Sequence, residues 1–158
     1  MIPRKPDSLR LQKIDVPRYS DNEVLLRTIN VGIDGTDLEI VRGVYGEAPK
    51  GSDYLILGHE CLATIEESND VQNFSEGDLV VPTVRRPDTC PNCQNGESDM
   101  CITGDYKEHG IKCLHGFASE YSISDAKFLV KVPKKIKNKQ ETFLKLTLIS
   151  LSLTVLSF

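Results

Sequence analysis

The thirty residues from Leu55 to Val84 (LILGHECLATIEESNDVQNFSEGDLVVPTV) constrain the fold more than any other stretch. Apolar residues come there in short bursts, Tyr54–Leu57, Cys61–Glu66 and Leu79–Val84, which read as strands. Ser68-Asn69-Asp70 and Ser75-Glu76-Gly77-Asp78 separate them as turns. Between the first two bursts stands Gly58-His59-Glu60. Neutral imidazole and carboxylate oxygen are both zinc ligands, and adjacent ligands reach one metal only where the backbone turns. Asp34, between the glycines of Gly32-Ile33-Asp34-Gly35-Thr36-Asp37, is a further candidate ligand. The plainer reading of His59 and Glu60 is a surface pair at a turn.

Other segments extend the β pattern. Glu23–Ile33 (EVLLRTINVGI), Phe117–Ile123 and Phe128–Val132 read as strands, the second with Phe, Ser, Tyr and Ile on one face. Leu9, Leu11 and Ile14 suit a short edge strand. Thr36-Asp37-Leu38-Glu39 has capping-box spacing and predicts a short helix from about Thr36 to Arg42, with Thr36 as N-cap, Leu38 and Val41 facing the core and Gly43 ending the turn. Many short strands with one short helix argue for a mainly β barrel. At 158 residues the chain suits one domain.

Arg85–Gly116 carries many Gly, Pro, Asn and Asp residues without a period, and a loop this long needs a reason to be ordered. Cys90-x-x-Cys93 followed by Cys101 supplies one, since three thiolates can hold a structural zinc. The fourth ligand is left open between Asp88 and Cys113, and ordinary buried thiols are the plainer reading. His109 and His115 read as structural and Cys61 as core. Polar Met1–Asp15 is no signal peptide, so the thiols suit a reducing compartment and a cytoplasmic location. A formal net charge of −4 without a basic stripe excludes a nucleic-acid footprint. The tail changes character: Lys134–Lys139 is basic, and the sixteen residues Phe143–Phe158 (FLKLTLISLSLTVLSF) fall short of the roughly twenty that a membrane span needs.

Gly58-His59-Glu60, then Phe74-x-x-Gly77-Asp78-x-Val80 and a cysteine lobe, resembles the zinc-dependent medium-chain alcohol dehydrogenases. Gly35-Thr36-Asp37, Pro82-Thr83-Val84-Arg85-Arg86-Pro87 and Cys101-Ile102-Thr103-Gly104-Asp105 look more narrowly like the archaeal-type glucose (aldose) 1-dehydrogenases. The similarity runs from about Glu23 to Pro133. Many members have cysteine where Asp34 stands, although some sugar dehydrogenases share the aspartate. Family members also often place a cysteine where this chain has Pro87.

The resemblance implies a GroES-like barrel, 1–133, as catalytic domain, with a zinc lobe at about 85–116 and a divergent tail, 134–158, from truncation or frameshift. It implies Asp34, His59 and Glu60 as catalytic-zinc ligands, and Cys90, Cys93 and Cys101 as structural-zinc ligands. Thr36 would take the substrate's hydroxyl proton, and Glu108 would bind sugar hydroxyls, unless Glu108 is an ordinary lobe-surface residue. The reaction implied is NAD(P)-linked oxidation of the CH–OH group of an aldose such as glucose, within carbohydrate metabolism. The family continues into a Rossmann domain with a Gly-x-Gly-x-x-Gly turn. The sequence has no such turn, so no cofactor-binding residue is expected in it and the chain alone is expected to be inactive. A Glu-Pro or Gln-Pro metal-site pair is also missing, with Gln140 and Glu141 weak substitutes. Expected partners are a small sugar or polyol, with a separately encoded coenzyme-binding domain or a homo-oligomer, and neither nucleic acid nor membrane. A reading from another class is a non-catalytic zinc-stabilised β-barrel serving as a binding or assembly module.

Overall fold

The computed structural model describes residues 1–133 except Asp70 and Gln72. The expectations for Lys134–Lys139, Gln140, Glu141 and Phe143–Phe158 lie outside the described residues. Contacts group the chain into two compact units. One is made of Met1–Ile14, Ile33–His59 and Val84–Ala118, the other of Asp15–Gly32, Glu60–Thr83 and the chain from Ser119.

The second unit holds the larger sheet, as a mainly β chain requires. Its strands are β1 (Glu23–Gly32), β2 (Glu60–Ser68), β3 (Leu79–Pro82), β7 (Tyr121–Asp125) and β8 (Leu129–Lys131). They pair antiparallel in the order β7-β1-β2-β3-β8. The β1–β2 register slips between Leu25 and Leu26 and between Thr28 and Asn30, the irregularity by which a sheet bends. Val24, Leu26, Leu62, Ile65 and Val80 are fully buried there. Cys61 is core, the first of three consecutive buried residues on β2, and burial pushes its thiol up to about 12.

Strand limits moved where burial overrode composition. On β7 the buried positions are Ser122 and Ser124 rather than Tyr121 and Ile123, so the opposite face, carrying small hydroxyls, is the one that turns to the core. Phe128 ends a 3₁₀ turn, Ala126–Phe128, whose cap is Asp125. Leu9, Leu11 and Ile14 form no strand and are exposed.

The first unit contains helix α1 (Gly35–Val41) and the cysteine lobe. The lobe is ordered by β4 (Arg85–Arg86), helix α2 (Pro91–Gln94), a 3₁₀ turn (Ser98–Met100), β5 (Lys107–His109) and β6 (Cys113–Leu114). β4, β5 and β6 make a small three-stranded sheet. Met1, Ile40, Leu55 and Leu57 form a buried cluster with Val41, Tyr45 and Ile111 against it. Tyr54–Leu57 is not a strand: Leu55 bonds backbone to backbone with Met1, and Ile56 with Gly116, but no ladder forms. Among the described residues no helix is long and apolar enough to cross a membrane.

Candidate active site

α1 begins one residue earlier than its sequence suggested, and its cap is Asp34 rather than Thr36. Asp34 Oδ1 accepts from the Thr36 N–H at 2.7 Å and the Asp37 N–H at 3.4 Å, while Asp37 Oδ2 accepts from the Asp34 N–H at 3.2 Å. Aspartates three apart therefore form the capping box, because a short carboxylate satisfies the helix's first N–H groups and suits its positive end. The rotation leaves Leu38 exposed, and turns Asp37 and Ile40 inward.

The box has a second use. Capping occupies Asp34 Oδ1, and Oδ2 lies 3.5 Å from His59 Nε2. Asp37 Oδ2 stands 3.5 Å from His59 Nδ1, and Asp37 Oδ1 accepts from the Gly58 N–H at 3.2 Å. His59 thus sits between two carboxylates, one half-exposed and one only 2% exposed. Burial works to raise Asp37. The imidazole contacts and the bonds from the Asp34 and Gly58 N–H groups outweigh it, holding the carboxyl below its usual range.

Backbone contacts hold His59 in place. The Phe117 N–H donates to the Gly58 carbonyl and the Ala118 N–H to that of Leu57. A Cβ at Gly116 would lie 2.2 Å from the Leu57 carbonyl oxygen, and one at Gly110 2.8 Å from that of Gly58. His109 stacks on Phe117, and its Nδ1–H donates to the His115 carbonyl at 2.7 Å. Burial, with the charge of Arg86, lowers His109 to about 4. His115 stacks on Tyr54 and accepts the Ile56 N–H at Nδ1, as a neutral structural imidazole does. Glu60 opens β2 in the second unit, half-buried, its backbone partnered by Gly32.

Thr36 is half-buried near Tyr45. Burial, reinforced by Glu39, Asp34 and Asp37, holds the Tyr45 phenol above its ordinary value even though Thr36 works to lower it. Glu108 lies on β5 opposite Arg85 on β4. Its Oε1 accepts from Arg85 Nε at 2.9 Å and Nη2 at 2.8 Å.

The lobe gathers a second cluster. Asp88, Cys90, Cys93 and Cys101 bring one ligand atom each within 4.8 Å of one another. Of the two residues left open as fourth ligand, Asp88 stands with the thiols; Cys113 Sγ points to Glu47 Oε2 at 3.3 Å. Cys90 Sγ and Cys101 Sγ are 3.9 Å apart, close to the roughly 3.8 Å that Zn–S bonds of 2.3 Å give at a tetrahedral angle. The Asp34–His59 contact matches the roughly 3.3 Å expected between oxygen and nitrogen on one tetrahedral zinc. Both donor sets therefore fit zinc. The Thr103 hydroxyl and the Cys90 N–H hold Asp88 well below the usual carboxylate range. Burial and the neighbouring Asp88 push Cys93 up to about 12. Metal binding here would deprotonate the thiols, and a divalent cation would neutralise the charge so gathered.

Asp37 and Arg85 escaped the sequence reading. Only Asp37 left a signal there, the Asp-x-x-Asp spacing of its cap.

The alcohol dehydrogenase GroES-like domain model matches residues 20–134. This chain belongs to that family. Within it, glucose 1-dehydrogenase 1 of Caldivirga maquilingensis is 57% identical over 137 residues, 86% of this chain and 38% of that protein. Glucose 1-dehydrogenase of Thermoproteus tenax is 53% identical over 139 residues, 87% of this chain and 39% of that one. The solved Haloferax mediterranei glucose dehydrogenase in complex with NADP, Zn and gluconolactone matches with TM-score 0.78 and 38% identity, covering 90% of this chain and 40% of that one. The chain thus spans about two fifths of the length of the curated relatives it matches.

Proposed function

We propose that this GroES-like chain supplies the substrate-binding side of a zinc-dependent, NAD(P)-linked dehydrogenase that oxidises an aldose such as glucose. The observation that carries the reading is His59 held between Asp34 and Asp37, with Asp34 Oδ2 and His59 Nε2 spaced as two ligands of one zinc are. When bound, zinc supplies Lewis acidity toward a sugar hydroxyl, and the nicotinamide coenzyme supplies the hydride acceptor.

This chain's residues do the rest. Asp34 and His59 would hold the ion, through Oδ2 and Nε2. Asp37 fixes the ring and favours the tautomer that frees Nε2. Thr36 would accept the sugar's hydroxyl proton and pass its own to solvent. Glu108 accepts sugar hydroxyls, for which carboxylate oxygens are strong acceptors. Asp88, Cys90, Cys93 and Cys101 would hold the structural zinc.

The test is metal analysis with a glucose titration of the zinc-loaded chain. Two zinc ions per chain are expected, with one lost in His59→Ala along with glucose binding. A chain that binds zinc only in the lobe, or that takes no glucose when fully loaded, would sink the dehydrogenase reading and leave a zinc-stabilised binding module.

A further inference from the structure

Arg85 is anchored on three sides. Nη1 donates to the Ser98 carbonyl at 3.0 Å, the guanidinium carbon lies 4.1 Å from the Tyr106 ring centroid, and Nε and Nη2 donate to Glu108. Stacking and a carbonyl bond hold a guanidinium plane in one orientation, which an ammonium could not reproduce. The carboxylate at the other end is equally fixed. Glu108 gives its N–H to the Lys112 carbonyl, and its own carbonyl accepts from the Ile111 and Lys112 N–H groups.

The form of the ion pair is informative. Arginine–carboxylate pairs frequently engage both carboxylate oxygens in a fork, the stronger geometry. Here both N–H groups fall on Oε1, and among the described residues Oε2 takes no hydrogen bond. The Glu108 side chain is only 16% exposed, yet Oε2 is not among the buried unpartnered atoms, so it stays open to a donor arriving from solution. An acceptor placed so calls for a hydroxyl donor rather than a second cation. Two residues on, Gly110 packs against the Gly58 carbonyl immediately before His59, which ties the strand that carries Glu108 to the backbone that carries His59.

We infer that Arg85 is a positioning residue for polyhydroxylated ligands: it saturates Oε1 of Glu108 and fixes the carboxylate so that Oε2 receives a sugar hydroxyl. This rests on the sugar reading above.

The experiment titrates D-glucose into the zinc-loaded full chain by calorimetry. It compares wild type, Arg85→Lys, Arg85→Met, Glu108→Gln and Arg85→Met/Glu108→Gln, with zinc content and melting temperature recorded for each. Arg85→Met and Glu108→Gln should each weaken glucose binding about tenfold or more, in line with losing a charged hydrogen bond. Arg85→Lys should fall between, and the double variant should bind no worse than Glu108→Gln, because both act through one carboxylate. Zinc content should stay at the wild-type value throughout, which a merely disordered lobe would not allow. Wild-type affinity in Arg85→Met, or additive losses in the double variant, overturns the role of Arg85 while leaving the sugar reading intact. Should Arg85→Met fail to fold, Arg85→Lys decides, and wild-type affinity there overturns it too. A wild-type chain that binds zinc but not glucose removes the sugar reading and this inference together.

Discussion

Asp37 illustrates how much one buried carboxylate can be asked to do. It closes the α1 cap, takes the Gly58 N–H and faces His59 Nδ1, all while 2% exposed. Asp37→Asn keeps the shape and removes the charge. Zinc affinity of the Asp34–His59 site should then fall about 10- to 100-fold, the usual cost of losing a carboxylate behind a metal-binding histidine. Cobalt titration followed by visible absorbance measures it, and unchanged affinity would mean that Asp37 serves the helix alone. His109 makes a different prediction. Its folded value of about 4 lies below the unfolded value of 6.5, so the unfolded chain binds the extra proton between these limits. The stability from keeping this ring neutral is complete above pH 6.5 and lost as pH falls to about 4, roughly 3 kcal/mol in all. Urea unfolding of the zinc-loaded chain between pH 4 and 7 should show this slope in wild type. In His109→Phe the slope should be shallower by that amount, and identical slopes would mean that His109 titrates normally.

At the scale of elements, legibility followed periodicity. β1 and β2 were plain because long β-branched runs leave few alternatives, and His59 was plain because a ligand pair beside glycine is chemically conspicuous. The shift of α1 was hidden: both Asp34 and Thr36 can cap, and only the competition for inward-facing room selected Asp34. Tyr54–Leu57 looks like a strand but finds its backbone partners one at a time, a tertiary fact. Asp37 and Arg85 were hidden for a related reason, since their partners Gly58, Ser98 and Glu108 are distant in sequence. The glycines give a direct measure of how such contacts constrain an element. Gly35 lies in α1 with nothing within 4 Å of an added Cβ, whereas at Gly116 that atom would stand 2.2 Å from the Leu57 carbonyl oxygen. Gly35→Ala should stabilise by about 0.5–1 kcal/mol. Gly116→Ala should destabilise by about 2 kcal/mol or more, because a backbone oxygen cannot move aside as a side chain can. Paired melting curves check both, and equal shifts would show that the close approach at Gly116 relaxes freely.

Taken as a whole, the molecule distributes its apolar core and its metal-ligand clusters unequally. The second unit buries Val24, Leu25, Leu26, Leu62, Ile65, Val80 and Leu129 on its five-stranded sheet, and Val132 just beyond it. Apart from two lobe cysteines, the first buries only Met1, Ile40, Leu55, Leu57 and Phe117 as core hydrophobics. Both ligand clusters lie in that poorer unit. A small core needs another source of stability, and metal binding is folding free energy wherever the unfolded chain offers no preformed site. Zinc at about a thousand times its dissociation constant would add about 4 kcal/mol to whatever unfolds with the site. Chelation should therefore speed amide exchange up to about 1,000-fold in residues 33–59 and 84–118, and far less in β1 and β2. Exchange followed by mass spectrometry, with and without a chelator, resolves the segments. Equal acceleration everywhere would mean that both units unfold as one, and no acceleration would mean that the clusters hold no metal that matters to the fold. Selective loss would show a chain whose hydrophobic sheet folds on apolar burial while its chemistry-bearing half depends on the ion it binds.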